Sequence, residues 1–361
     1  MKIASIIGAR PQFIKVKPLV DELRRRKVEH ILVHTGQHYD YEMSKTFFVE
    51  LDIPEPAYNL EVGSHTQGKQ TALMLERTEK VLLKERPDIA IVYGDTNSTL
   101  AGALAAAKLN IPVAHIEAGL RSYRLDMPEE INRVLTDHIS GFLFCPTTAS
   151  VSNLKKEGIT QGVYLVGDVM YDIFESRKSK IENKEAKILQ ELNLKPKEYL
   201  LLTIHRQENT DNVENVEAIL SALIETKQKT VFPIHPRTEK TMRRITNPGL
   251  RAFKDFLVIK PVNYLDMLIL EKNARKVLTD SGGVQKEAYW FGIPCITLRN
   301  ETEWVETVKD GCNTLAGTDR EKITNAITQF NPRKTPDKCF GNGQAAEKIV
   351  TTLIAELLRE C

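Results

Sequence analysis

Lys2-Ile3-Ala4-Ser5-Ile6-Ile7-Gly8-Ala9-Arg10-Pro11 is a short apolar run that stops at a glycine and opens onto a proline. Its apolar character is continuous, not alternating, which predicts a strand covered on both faces. Gly-Ala-Arg-Pro then predicts a turn into a helix. The same grammar repeats downstream. Strands are predicted at residues 2–7, 31–35, 89–93, 113–117, 143–146 and 163–166, with helical patterns such as 18–26, 67–85 and 99–109 between them. Alternation of this kind predicts right-handed βαβ units wound on both faces of a parallel sheet.

A polar, lysine-rich stretch over residues 176–197 interrupts the pattern, which restarts with strands predicted at 199–204, 231–234, 257–260, 276–279 and 295–298. The 361 residues exceed what one core usually supports. Two Rossmann-like, doubly wound α/β domains are therefore expected, residues 1–170 and 171–342, with an amphipathic helix within 343–361 that can join the first. Ligands of such sheets lie at the carboxyl ends of the strands, so two of them predict a cleft between the domains.

Composition narrows the function. Fifty basic residues against 48 acidic give a net charge of +2, so no whole-chain field favours nucleic acid or an anionic membrane. The five cysteines are scattered, odd in number and without C-x-x-C spacing, which argues against a disulfide framework or a zinc site and fits a reducing compartment. The apolar run before Gly8 is too short for a secretory leader, and no run approaches the roughly 20 residues needed to span a membrane. A cytoplasmic enzyme is expected. No G-x-G-x-x-G follows any strand, so a bound NAD is not expected.

Candidate chemistry gathers at strand ends. Helix-start N–H groups at Gly8–Pro11, together with Arg10 and Lys15, predict an anion site. In Thr279-Asp280-Ser281-Gly282-Gly283-Val284-Gln285-Lys286-Glu287 a strand runs through Ser-Gly-Gly into a helix. The glycines admit a diphosphate, Ser281 can cap the helix or donate to phosphate, and Glu287 can accept from ribose hydroxyls. Asp95 and Glu117 each follow an apolar strand, and Glu129 lies in the first turn of a helix opened by Pro128, where it can also simply complement the dipole. Three carboxylates near one site should repel and raise the proton affinity of at least one, which suits acid–base work. His205-Arg206 and His235-Pro236-Arg237 end two successive strands and predict a basic wall; a metal there lacks a third ligand. His30, His34, His38, His65, His115 and His138 are expected to be structural or exposed.

GARPQFIK, GDTNSTLAG, HIEAGLRS, MPEEINR, TIHR, HPR and TDSGGVQKEA, in this order, resemble the non-hydrolysing UDP-N-acetylglucosamine 2-epimerases over nearly the whole chain. The resemblance implies a GT-B fold, a homodimer, and a role in supplying activated sugars for polysaccharide biosynthesis. It implies interconversion of UDP-GlcNAc and UDP-ManNAc by anti elimination of UDP to a 2-acetamidoglucal and re-addition, with no metal and no NAD. Carried onto this sequence, Asp95, Glu117 and Glu129 are acid/base candidates and His205 contacts substrate and leaving diphosphate. Arg10, Lys15, His235 and Arg237 bind substrate; Ser281, Gly282 and Gly283 hold the diphosphate, Glu287 the ribose, and Val262 and Met267 lie beside the nucleotide.

The chain departs from the family pattern in three places. GARPQ replaces the commoner GTRPE, losing an acid at Gln12. Thr302-Glu303-Trp304-Val305-Glu306 stands where T-E-R-P-E supplies a ligand-contacting arginine. Gln37-His38-Tyr39-Asp40-Tyr41-Glu42-Met43 replaces a loop tied to allosteric UDP-GlcNAc binding. The first two look closer to a branch acting on UDP-2,3-diacetamido-2,3-dideoxy-glucuronate, whose uronate would favour one acid fewer at Gln12.

Overall fold

The computed structural model describes residues 1–37, 48–246, 256–332 and 338–358. The chain forms two compact units, Met1–Ser176 with Lys338–Cys361, and Arg177–Asp337. In the first unit β1 (Lys2–Ile7), β2 (Glu29–His34), β3 (Tyr58–Asn59), β4 (Ile89–Tyr93), β5 (Val113–Ile116), β6 (Phe142–Cys145) and β7 (Val163–Leu165) build one sheet. Its order is β3-β2-β1-β4-β5-β6-β7 and every pairing is parallel. Helices α1 (Arg10–Arg25), α2 (Gln67–Glu85), α3 (Asn97–Lys108), α4 (Pro128–Ile139), α5 (Thr148–Lys156) and α6 (Val169–Glu191) follow the strands in turn. All five residues of β4 are inaccessible to solvent, as the continuous apolar run requires.

Helix α1 begins at Arg10, at the turn predicted over Gly8–Pro11, and runs on through the helical pattern read at 18–26. Pro18 lies inside it because Phe13, Val16, Leu19, Val20 and Leu23 bury one continuous face, and that packing outweighs the hydrogen bond the proline cannot donate. The lysine-rich stretch is largely helical as well: α6 runs through Ser176 and Arg177, so the division between units falls inside a helix.

In the second unit β8 (Leu200–Thr203), β9 (Thr230–Pro233), β10 (Phe256–Ile259), β11 (Lys276–Thr279), β12 (Cys295–Thr297) and β13 (Asn313–Leu315) are ordered β10-β9-β8-β11-β12-β13, again all parallel. The accompanying helices are α7 (Gln207–Thr210), α8 (Val213–Thr226), α9 (Pro236–Met242), α10 (Tyr264–Asn273), α11 (Gly282–Trp290), α12 (Val305–Lys309) and α13 (Arg320–Gln329). In both sheets the strand order reverses beside the first strand, at β1/β4 and at β8/β11. Connections there leave in opposite directions and open a crevice at the carboxyl ends.

The terminal helix α14 (Ala345–Leu357) belongs to the first unit. Asp172 of α6 accepts from Ala345 N at 3.0 Å and Ala346 N at 2.8 Å, capping it. Burial pushes the Asp172 carboxyl up to about 6, against an ordinary value of 3.8, despite those two donors. The folded chain therefore binds more protons at this group than the unfolded one, and its contribution to stability is lost as pH rises from about 4 to 6. Asp172→Asn should gain on the wild type by on the order of 2 kcal/mol between those pH values, read from urea unfolding at each.

Candidate active site

At the β1/β4 reversal the first turn is packed against its neighbours. A Cβ on Gly8 would stand 2.0 Å from Thr35 Oγ1 and 2.2 Å from Ser98 Oγ, so only glycine fits. Gln12 accepts from Gly8 N at 2.8 Å and Ala9 N at 3.0 Å, and donates to Tyr93 O at 2.8 Å and Thr99 Oγ1 at 3.1 Å. Two sequence expectations change here. The backbone donors of Gly8 and Ala9 serve Gln12, so an anion at this turn depends on Arg10, half-buried and lowered in proton affinity by desolvation. Gln12 itself is 1 % exposed with both ends engaged, so the loss of an acid at this position carries no argument about a uronate.

Gly94, at φ 64°, forms a floor on which Lys15 and Glu117 meet: a Cβ there would lie 2.8 Å from Lys15 Nζ and 3.2 Å from Glu117 Oε2. Lys15 and Glu117 form a buried ion pair. Glu117 stands at φ 72°, a left-handed conformation that costs a non-glycine residue on the order of 1 kcal/mol. Its N–H and that of Ala118 both donate to Phe144 O at 3.1 Å, which fixes the turn. Asp95 pairs with Arg133 of α4 at 2.6 Å, and Arg133 also holds Glu130 at 2.7 Å. Glu130 in turn anchors the Ser122 and Tyr123 N–H groups.

The expected clash of three carboxylates does not arise. Asp95 and Glu117 each have a cation, while half-buried Glu129 has no such partner among the described residues. Arg133 was the missed member. Its signal was its position in Pro128–Arg133, one turn after Glu130.

In the second unit Asp280, wholly buried, organises the β8/β11 reversal. Its carboxylate accepts from His205 N and Arg206 N and from Asn209 Nδ2 at 3.0 Å, with His205 Nδ1 3.6 Å away. The His205 and His235 rings lie 5.9 Å apart between centroids. His235 caps α9, its Nδ1 accepting from Arg237 N at 3.2 Å, while Arg237 is exposed. Arg206 is drawn to Glu303 at 3.3 Å.

Ser281 opens α11 without a side-chain cap. The close neighbours of Gly282 are protein groups: a Cβ there would lie 2.9 Å from Trp304 Nε1 and 3.2 Å from Glu303 Oε1. Trp304, 3 % exposed, carries the Lys286 ammonium 4.0 Å over its ring. Val262 and Met267 are half-buried on the approach to α10 and in its first turn, and Glu287 is buried against Tyr264 and Glu271. Of the Gln37–Met43 loop, only Gln37 lies within the described residues; its Oε1 accepts from Ser98 N and Oγ at the start of α3. Among the described residues no group of three or more His, Cys, Asp or Glu is arranged to hold a metal, and no helix is long and apolar enough to cross a membrane.

Both sets of groups sit where ligands of such sheets bind, and the comparisons agree in kind. A family described as UDP-N-acetylglucosamine 2-epimerase matches residues 21–354. The chain belongs to that family. It is an isomerase of the epimerase type. A UDP-N-acetylglucosamine 2-epimerase homolog of Methanococcus maripaludis is 56 % identical over 98 % of this chain and 99 % of its own length. The UDP-2,3-diacetamido-2,3-dideoxy-D-glucuronate 2-epimerase of Pseudomonas aeruginosa is 45 % identical, again over 98 % and 99 %. The crystal structure of Methanocaldococcus jannaschii UDP-GlcNAc 2-epimerase in complex with UDP-GlcNAc and UDP superposes with a TM-score of 0.93 at 46 % identity, covering 98 % of this chain and 100 % of that one. The family's GT-B-like pair of parallel-sheet domains is thus this chain's fold.

Gln12→Leu should cost about 2–4 kcal/mol in chemical denaturation, because it strands the Gly8 and Ala9 N–H groups and the Tyr93 carbonyl in a dry turn. A loss below about 0.5 kcal/mol would contradict this bonding.

Proposed function

We propose that this enzyme interconverts UDP-GlcNAc and UDP-ManNAc. The observation that carries the reading is the first unit's juxtaposition of Asp95 and Glu117, each with its cation, beside the first turn of the helix that bears Glu129. C2 of the sugar has no neighbouring carbonyl to acidify its proton, so direct deprotonation is costly. Elimination avoids this cost: a carboxylate takes the C2 proton, the C2–H electrons form a C1–C2 double bond, and the C1–O electrons leave with UDP. The reverse addition, with a proton delivered to the opposite face of C2, gives the epimer. Electrons balance throughout, so the steps need no nicotinamide.

Asp95, Glu117 and Glu129 supply the acid and base. Lys15 and Arg133 hold two of them aligned, and Arg10 adds positive charge toward the substrate. In the second unit His205, backed by the Asp280 carboxylate, stabilises the departing diphosphate. The uncapped start of α11 at Ser281, Gly282 and Gly283 receives its phosphates. His235 and Arg237 line the same side, Glu287 takes the ribose, and Val262 and Met267 flank the nucleotide. The diacetamido-glucuronate remains the second substrate reading, favoured by the Pseudomonas relative's 45 % identity.

The enzyme works in the cytoplasm, upstream of polysaccharide assembly, as a homodimer. Support for the dimer comes from Tyr123, Leu125, Ile131 and Leu135, 66, 71, 42 and 47 % exposed, the last two on one face of α4. Ile131→Glu with Leu135→Glu should convert dimer to monomer in light scattering; an unchanged mass would rule out this face.

Incubation in D2O with each sugar nucleotide tests the reaction: deuterium at C2 supports it, and none with either sugar defeats it. Asp95→Asn or Glu117→Gln should lower turnover about 10²–10⁴-fold with UDP affinity kept within about threefold; wild-type turnover would refute their roles.

A further inference from the structure

His115 was expected to be a structural or exposed histidine, yet it lies at the centre of the first unit's site. It is wholly buried in β5. Its Nε2 is 2.7 Å from Gly94 O and its Nδ1 is 2.7 Å from Asp137 Oδ1 on α4. The other Asp137 oxygen accepts from Gly119 N at 3.1 Å and from Arg121 Nη1 at 2.7 Å. Arg121 also clasps Glu157 through two bonds of 2.7 Å.

A carbonyl oxygen only accepts. Asp137 is held as an acceptor too, since its other oxygen takes both the Gly119 N–H and the Arg121 guanidinium. The ring must therefore donate through both nitrogens, since a one-proton tautomer would set a lone pair against an oxygen at 2.7 Å. The other titratable groups around it leave this assignment intact. Burial pushes the nearby Cys145 thiol up to about 12, so it is neutral, and Lys15 and Glu117 neutralise each other beside Gly94.

The two bonds join three segments. One is the turn carrying Gly94 and Asp95, the second is β5, which leads into Glu117, and the third is α4, which carries Glu129 and the Arg133 partner of Asp95. We propose that His115 is a positioning residue that donates through both ring nitrogens, to Gly94 and Asp137, and so presents Asp95, Glu117 and Glu129 to the sugar as one rigid set. The inference rests on the reading of those carboxylates as the acid/base groups.

His115→Gln tests it. The new amide can donate to Gly94 O, but its carbonyl then faces Asp137. Adding Asp137→Asn supplies a donor to that carbonyl and restores the chain of bonds. His115→Gln should lower the kcat of C2 deuterium exchange about 100-fold with UDP affinity close to wild type and a cooperative folding transition kept at a lower melting temperature, and the double variant should recover about tenfold of the lost exchange together with part of the melting temperature.

Exchange within about threefold of wild type in His115→Gln, or no recovery in the double variant, would overturn the positioning role. Parallel loss of UDP affinity or of the folding transition would reduce His115 to a packing residue. A wild-type enzyme without exchange on either sugar sinks the epimerase reading itself, and this inference with it; failed rescue with an active wild type sinks this inference alone.

Discussion

A parallel sheet whose strand order reverses beside its first strand has a gap at the carboxyl end of that strand, because successive connections leave it on opposite sides. Both units of this chain are built around such a gap, at β1/β4 and β8/β11. The strands beneath are dry and apolar, so every polar group brought to the gap needs a partner there. Each unit meets the demand with one side chain that ties two strand ends together. Gln12 binds the turn after β1 to the end of β4, and Asp280, at the end of β11, binds the turn after β8. The first tie is neutral and the second anionic. The carboxylate stands directly behind His205, the histidine facing a leaving diphosphate in the proposed reaction.

The first unit also carries its charges in pairs. Lys15 with Glu117, Arg133 with Asp95 and Glu130, and Arg121 with Asp137 and Glu157 are largely buried, and an unpaired member of any pair would cost far more than the pair itself contributes. Such networks give geometry more than stability. They hold carboxylates at fixed angles in a place where water would otherwise let them swing.

Much of the fold was legible from the sequence, for a simple reason. The strands at residues 2–7, 89–93 and 276–279 match the observed β1, β4 and β11 at both ends, since a strand buried on both faces must be apolar throughout. β3 and β13 escaped notice because two or three partly polar residues at a sheet edge leave no pattern. The sequence shows the opening of α1 at Gly8–Pro11 and its helical pattern at 18–26 as separate signals, because Pro18 interrupts the pattern and only the buried face joins the two. The candidate residues were found as positions, since strand ends are visible in sequence. Their contacts were not. Nothing local reveals that Gln12 faces backbone, that Gly282 is reserved for Trp304 and Glu303, or that His115 meets Asp137 across 22 positions of chain.

The Lys286 ammonium lies 4.0 Å over the Trp304 ring and 5.8 Å from that of Trp290, the last residue of α11. These are the chain's two tryptophans. The protein thus carries its own optical probe in a single location, with a cation over the indole and the Ser281–Gly283 turn at its edge. Tryptophan emission from the native enzyme reports the electric field at the start of α11, and events at Asp95, Glu117 and Glu129 in the first unit are dark to it unless they travel there.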